Sequence, residues 1–283
     1  MWLLEAAIVP LFLGTLAYAQ FTSGVNLVEI YATVTDLEGH PISGLTAADF
    51  QVSEDGAPQV ISTFAAGEFP LAIAIGLDRS FSMGGKGNRL AVAKSAARTL
   101  VGALRPDDEV MVIAIGGETE TAAPLSADRG AALAAIDRLD AWGTTPLYDA
   151  TSSAIDAIQP ARGRRALVLL SDGTDRYSES SAAELVDRAR THDVMVYPVA
   201  IGNARPPVFA ELAAATGGRS FFVRDPAGLM ATMRAIANEL RFQYLLGYVP
   251  AGERPGRPSW REIDVSVRRA GVRVRARQGY VGR

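Results

Sequence analysis

Five nearly continuous apolar runs punctuate the middle of the chain: Leu71 to Leu77, Val110 to Ile115, Ala166 to Leu170, Val194 to Ile201 and Ser220 to Val223. Runs apolar at almost every position belong to strands buried on both faces of a parallel sheet. Between them apolar residues recur at helical spacing, as Leu90, Ala93, Ala97, Leu100 and Leu104 after Asn88, and as Leu133, Ile136 and Leu139 after Asp128. Ser181 and Glu184 make a capping box ahead of Leu185 and Ala189. Pro206-Pro207 opens a helix that Gly217-Gly218 ends, and Asp225-Pro226 opens one with Leu229, Met233, Ile236 and Leu240 on one stripe. The weaker segment Glu118 to Ala123 predicts a short antiparallel edge strand beside the second run, making Ala166 to Leu170 the fourth strand. Residues 70–240 are therefore expected to form a doubly wound α/β domain, Rossmann-like, with a mostly parallel sheet and helices on both faces.

Outside that block the period changes to two. Val28, Ile30, Ala32 and Val34 alternate with polar or small neighbours, and Val60, Ser62 and Phe64 do so after the Glu54-Asp55-Gly56 turn. Near the other end Phe242, Tyr244, Leu246 and Tyr248 alternate, then Ile263, Val265 and Val267, then Val272, Val274 and Ala276 after Ala270-Gly271. Residues 20–69 hold seven acids and no Lys or Arg, a balance of −7, whereas 241–283 hold ten Arg against three acids, +7. Each flank is too small to fold alone, and the opposite charges favour their pairing. The expectation is one antiparallel β-sandwich made of both flanks, into which the α/β domain is inserted. Arg273, Arg275 and Arg277 are expected on its solvated face rather than as a nucleic-acid patch.

The chain has 283 residues, 48% of them hydrophobic, and a formal charge of −3. That balance supplies no global field for nucleic acid. With no cysteine and only His40 and His192, thiolate nucleophiles, disulfides and zinc or iron–sulfur ligation by thiolates are excluded by inventory. An apolar run from Ala6 to Leu16 followed by Ala17-Tyr18-Ala19 reads as a signal peptide over 1–19, cleaved before Gln20. The mature protein is then expected to be secreted or periplasmic, without a stable membrane span.

Chemistry concentrates where strands end. Asp78-Arg79-Ser80-Phe81-Ser82 follows the first buried strand, and Asp172, within Ser171-Asp172-Gly173, follows the fourth. In an open doubly wound sheet, ligands collect at the carboxyl ends of strands flanking the point where strand order reverses. Thr145, in Gly143-Thr144-Thr145-Pro146-Leu147, lies in the connection before the fourth strand and can reach the same crevice. Two carboxylates and three hydroxyls, without nitrogen or sulfur, describe a site for a hard cation, Mg²⁺ first, with Mn²⁺ and Ca²⁺ as alternatives. Phe81, Gly173 and Asp149 are candidates beside these ligands. Phe81 either packs under its loop or contacts a ligand, and Asp149 either holds a metal-bound group or serves as a helix N-terminal acid.

Asp-x-Ser-x-Ser after the first strand, a Thr loop and Ser-Asp-Gly after the fourth resemble the metal-ion-dependent adhesion site (MIDAS) of the von Willebrand factor A family. The resemblance implies Asp78, Ser80, Ser82, Thr145 and Asp172 as metal ligands, and a partner protein whose exposed Asp or Glu completes the metal sphere. It also implies that movement of the last helix changes affinity. Arg79 and Phe81 depart from the small residues often found there, which bears on ligand preference. The flanks, through Val34-Thr35-Asp36, Glu54-Asp55-Gly56, Tyr244-Leu245-Leu246-Gly247-Tyr248 and Arg275 to Tyr280, resemble acidobacterial-type secreted bacterial proteins that carry this domain.

A protein-binding module, in adhesion or scaffolding, is thus the expected function, with no nucleic-acid partner and no enzymatic activity. A scaffold whose metal only ties loops together is the alternative. A metal-dependent hydrolase would need a general base among Asp149, Asp175 and Glu118, which form no recognisable catalytic arrangement. No Gly-x-Ser-x-Gly elbow is present, and Lys86 is not followed by the Ser or Thr of a phosphate loop.

Overall fold

The computed structural model describes residues 27–67, 69–85, 87–250 and 258–282. The expected signal peptide lies outside them. The first flank supplies β1 (Val28–Thr35), β2 (Phe50–Glu54), β3 (Ala57–Gln59) and β4 (Ile61–Gly67). The central region follows with β5 (Leu71–Asp78), α1 (Phe81–Gly84), α2 (Arg89–Ala103), β6 (Glu109–Ile115), β7 (Thr119–Ser126), α3 (Arg129–Arg138) and α4 (Leu147–Ile158). It continues with β8 (Arg164–Ser171), α5 (Ala182–Thr191), β9 (Met195–Ile201), α6 (Pro207–Thr216), β10 (Phe221–Val223) and α7 (Pro226–Arg241). The second flank is β11 (Gln243–Tyr248), β12 (Ser259–Val267), β13 (Arg273–Arg275) and β14 (Gly279–Gly282).

The apolar runs build a six-stranded sheet in the order β10-β9-β8-β5-β6-β7. Its strands are parallel except β7, which returns antiparallel on β6 as expected for the edge. Every position of β5 is buried, which is why that strand is apolar on both faces until Asp78. Helices α2, α3 and α7 cover one face, while α4, α5 and α6 cover the other. The expected caps form: Asn88, Asp128, Ser181 and Asp225 each accept a backbone N–H of the first helical turn, contributing about 1 kcal/mol apiece.

The flanks form two four-stranded antiparallel sheets, β13-β1-β11-β4 and β14-β12-β2-β3, each drawing strands from both ends of the chain. They share one apolar core, in which Phe50 and Tyr244 lie with ring centroids 5.1 Å apart. Short elements that the periodicity argument did not name include β2, β3, α1 and β14; α1 has four residues and carries no period, and β14 is glycine-bounded. A Cβ on Gly279 would stand 2.3 Å from the Arg261 carbonyl oxygen, so the close approach of β14 to β12 requires glycine there.

The expected role of the opposite charges holds at one buried point, where Arg261 and Glu54 meet at 2.7 Å between the flanks. The arginine row is a correction. Arg273 is exposed, but Arg275 pairs with buried Glu239 at 2.6 Å and Arg277 with Asp193 at 3.3 Å, both in the α/β module. The reason is tertiary: the segment 275–278 lies against α6 and β9, where Arg275 also donates to the Gly218 carbonyl and the Gln278 N–H to that of Ala215. Only Phe242 separates α7 from β11. Arg164, at the start of β8, donates to the Leu240 carbonyl, to Gln243 Oε1 at 3.1 Å and to the Phe69 carbonyl at 2.8 Å, tying both crossings together. Burial brings its pKa down to about 10, so it stays charged at neutral pH. Among the described residues, no helix is long and apolar enough to cross a membrane.

Candidate metal centre

β5 and β8 are adjacent, with Leu77 opposite Leu170, so Asp78 and Asp172 leave the sheet side by side where strand order reverses. Asp78 is fully buried. Its Oδ1 accepts the Ser80 N–H at 2.9 Å and its Oδ2 the Ser171 hydroxyl at 2.6 Å. Burial raises the Asp78 pKa; the hydrogen bonds from Ser171 and Ser80 work against this and the nearby charge of Asp172 adds to it. A carboxylate buried beside a second one needs a counter-charge to be ionised, and a cation can supply it.

Ser80 is buried and Ser82 exposed, with their hydroxyl oxygens 3.1 Å apart. Buried Thr145 sits on a third loop that backbone bonds stitch to the other two: the Phe81 N–H donates to the Gly143 carbonyl at 3.1 Å and the Arg176 N–H to the Thr145 carbonyl at 2.7 Å. Gly143 (φ 77°) is required here, since a Cβ would stand 2.2 Å from the Gly117 nitrogen. The crevice therefore presents carboxylate and hydroxyl oxygens, the donor set of a hard divalent cation.

Residues 73–174, from β5 through this second acidic loop, match the family described as von Willebrand factor type A domain. The chain carries a von Willebrand factor type A domain. Among solved structures, a von Willebrand factor type A protein from Catenulispora acidiphila is similar at 17% identity and TM-score 0.54, over 91% of this chain and 73% of that one. Proximal thread matrix protein 1 from the mussel byssus, with a zinc-occupied MIDAS motif, is similar at 15% identity and TM-score 0.54, over 68% of this chain and 50% of that one. The von Willebrand factor domain of a type V pilus tip protein from Porphyromonas gingivalis is 12% identical, TM-score 0.52, over 61% and 95%. At these identities the likeness is one of fold. No curated protein matches.

Around this crevice of the von Willebrand factor type A domain, the remaining candidates fall differently from one another. Phe81 is 65% exposed, so it does not pack beneath its loop. Gly173 (φ 79°) donates its N–H to Ser171 Oγ at 2.9 Å, and a Cβ there would meet Pro206 at 2.0 Å. Asp149 lies in the first turn of α4, but its carboxylate accepts the Glu179 and Ser180 N–H groups at 2.7 and 3.1 Å. Burial pushes its pKa up, yet the bonds from Ser180 and Glu179 outweigh that and hold it below the usual carboxylate range. Asp175 accepts the Tyr148 N–H at 3.2 Å and the Ser178 hydroxyl at 2.6 Å. Both acids thus fasten the loop after β8 to α4.

Two residues of the centre were given no role by the sequence reading. Ser171, read there only as part of Ser171-Asp172-Gly173, bridges the two acidic loops through Asp78 and Gly173. Arg89 reaches Asp172 Oδ2 at 3.4 Å. An arginine at the first position of a helix, where the dipole disfavours a cation, was the available signal that an anion stands opposite.

Proposed function

We propose that this chain is a metal-dependent protein-binding module, in which Asp78, Ser80, Ser82, Thr145 and Asp172 hold Mg²⁺ and a carboxylate of a partner protein completes the coordination. The observation that carries the reading is the buried Asp78 carboxylate beside Asp172, with hydroxyls from two loops, at the switch point of a von Willebrand factor type A fold. Bound there, a divalent ion supplies a strong local positive charge with a position open to an anion. The chain's own residues orient the site: Ser171 fixes Asp78, while Asp149 and Asp175 hold the loop that carries Asp172. A similar structure with zinc in its MIDAS motif supports a divalent ion as the class, with Mn²⁺ and Ca²⁺ alternatives to Mg²⁺.

The same reading takes 1–19 as an export signal, placing the protein in the periplasm or outside the cell. It treats 70–240 as the binding domain and 20–69 with 241–283 as one supporting sandwich. Against a hydrolase stands the engagement of Asp149 and Asp175 in loop-holding hydrogen bonds, which leaves neither free as a general base.

Calorimetric titration of Mg²⁺ and Mn²⁺ into the protein tests the reading. Asp78→Ala should abolish binding, because it removes an anionic ligand. Thr145→Ala should weaken it by about tenfold, since water can replace a neutral oxygen. Equal affinity in the three proteins would show the site to be elsewhere.

A further inference from the structure

Three large aromatic residues stand in solvent on the three loops of the metal centre: Phe81 is 65% exposed, Trp142 45% and Tyr177 78%. Phe81 lies between Ser80 and Ser82, Trp142 three residues before Thr145, and Tyr177 five after Asp172. The backbone makes them one rim. Arg79 exchanges with Trp142 through the Trp142 N–H to Arg79 carbonyl bond at 2.7 Å, and Arg176, next to Tyr177, donates to the Thr145 carbonyl.

Two of the three are held in place. Tyr177 adopts φ 73°, a left-handed conformation for a bulky residue that costs about 1–2 kcal/mol and keeps the ring out in solvent. Arg79 stacks its guanidinium 5.1 Å from the centre of the Trp142 ring and reaches Glu120 at 3.4 Å. Gly116 and Gly117 make the room: a Cβ on the first would stand 2.8 Å from the Trp142 carbonyl oxygen, and on the second 3.1 Å from its ring. None of this serves the core. Pre-placed Trp, Tyr and Phe side chains are the usual anchors of protein interfaces, and each can remove roughly 150–250 Å² from water.

We infer that Phe81, Trp142 and Tyr177 read the residues flanking the partner's carboxylate, so that the partner is a protein loop carrying an Asp or Glu beside a large apolar side chain. The inference rests on the metal-binding reading above. The metal's charge selects the acid, and the rim selects its neighbour, which makes a bare carboxylate or an acid among polar residues a poor ligand.

The test is selection of a phage-displayed library of random disulfide-cyclised peptides on the immobilised full chain in Mg²⁺, with elution by EDTA. Eluted peptides should carry Asp or Glu with a large apolar residue within two positions, the pairing enriched about tenfold over the unselected library, which corresponds to burial of part of one such side chain. On the variant Phe81→Ser/Tyr177→Asn, the acid should remain enriched and the apolar neighbour fall to background, with Mg²⁺ affinity unchanged by calorimetry. Both side chains are exposed and asparagine tolerates the left-handed backbone at 177, so the variant should fold. Acids enriched without an apolar neighbour would overturn the inference. So would an unchanged preference on the variant, or no EDTA-eluted peptide from a chain that binds Mg²⁺. Absence of Mg²⁺ binding to the unaltered chain would instead strike the metal reading itself, and the rim inference with it.

Discussion

The Ser171 hydroxyl donates to Asp78 Oδ2 at 2.6 Å and accepts the Gly173 N–H at 2.9 Å, so one side chain sets the spacing of the two acidic loops. Ser171→Ala leaves every proposed ligand in place yet frees a buried carboxylate oxygen. Mg²⁺ affinity should fall by about 10- to 100-fold, as when groups behind metal ligands are removed. An unaltered calorimetric titration would show that Asp78 is oriented by other contacts.

Arg89 and a bound cation would compete for Asp172. Replacing Arg89 with Met should therefore raise Mg²⁺ affinity by about fivefold, corresponding to roughly 1 kcal/mol for a partly exposed pair after solvent screening. The metal-free protein should lose a comparable amount of stability in urea. A fall in metal affinity would mean that Arg89 supports the site rather than shielding it.

Glu54 accepts hydrogen bonds from Tyr248 at 2.6 Å, Arg261 at 2.7 Å and Tyr280 at 2.9 Å. Burial pushes its pKa up, but those three donors win and hold it below its ordinary 4.5. A carboxylate depressed in the fold contributes stability that is fully present above its unfolded value and is lost as pH falls through the folded one. Stability should accordingly decline as the pH drops below about 4.5. Glu54→Gln should flatten that decline and cost about 3–5 kcal/mol at pH 7, because buried Arg261 loses its counter-charge. Urea midpoints between pH 7 and 3 give the comparison.

Arg275→Met strands the buried carboxylate of Glu239 at the junction of module and sandwich. It should destabilise the protein by about 3 kcal/mol, and Arg275→Met/Glu239→Gln should recover much of that, since the second change removes the uncompensated charge. If the double variant is as unstable as the sum of the singles, the two residues are not coupled.

The α/β module was legible in the chain because buried strands and amphipathic helices impose local periods, and each apolar run from Leu71 to Val223 marks a strand of the six-stranded sheet. The positions of Asp78 and Asp172 followed from the same pattern, since strand ends at a switch point are set by topology, whereas Thr145 lies on the loop between α3 and α4. What the side chains there touch was not legible. Arg275 and Arg277 alternate like any solvated strand face, yet they turn to Glu239 and Asp193 because a second module lies against them. Phe81 reads equally as core or contact until the loops are placed, and Asp149 gains the N–H groups of Glu179 and Ser180 only because the loop after β8 folds over α4. Period and spacing are properties of neighbours along the chain, so the sequence by itself determined elements and their ends. Burial, hydrogen-bond partners and counter-charges come from residues tens to hundreds of positions away, and only the tertiary structure decided them.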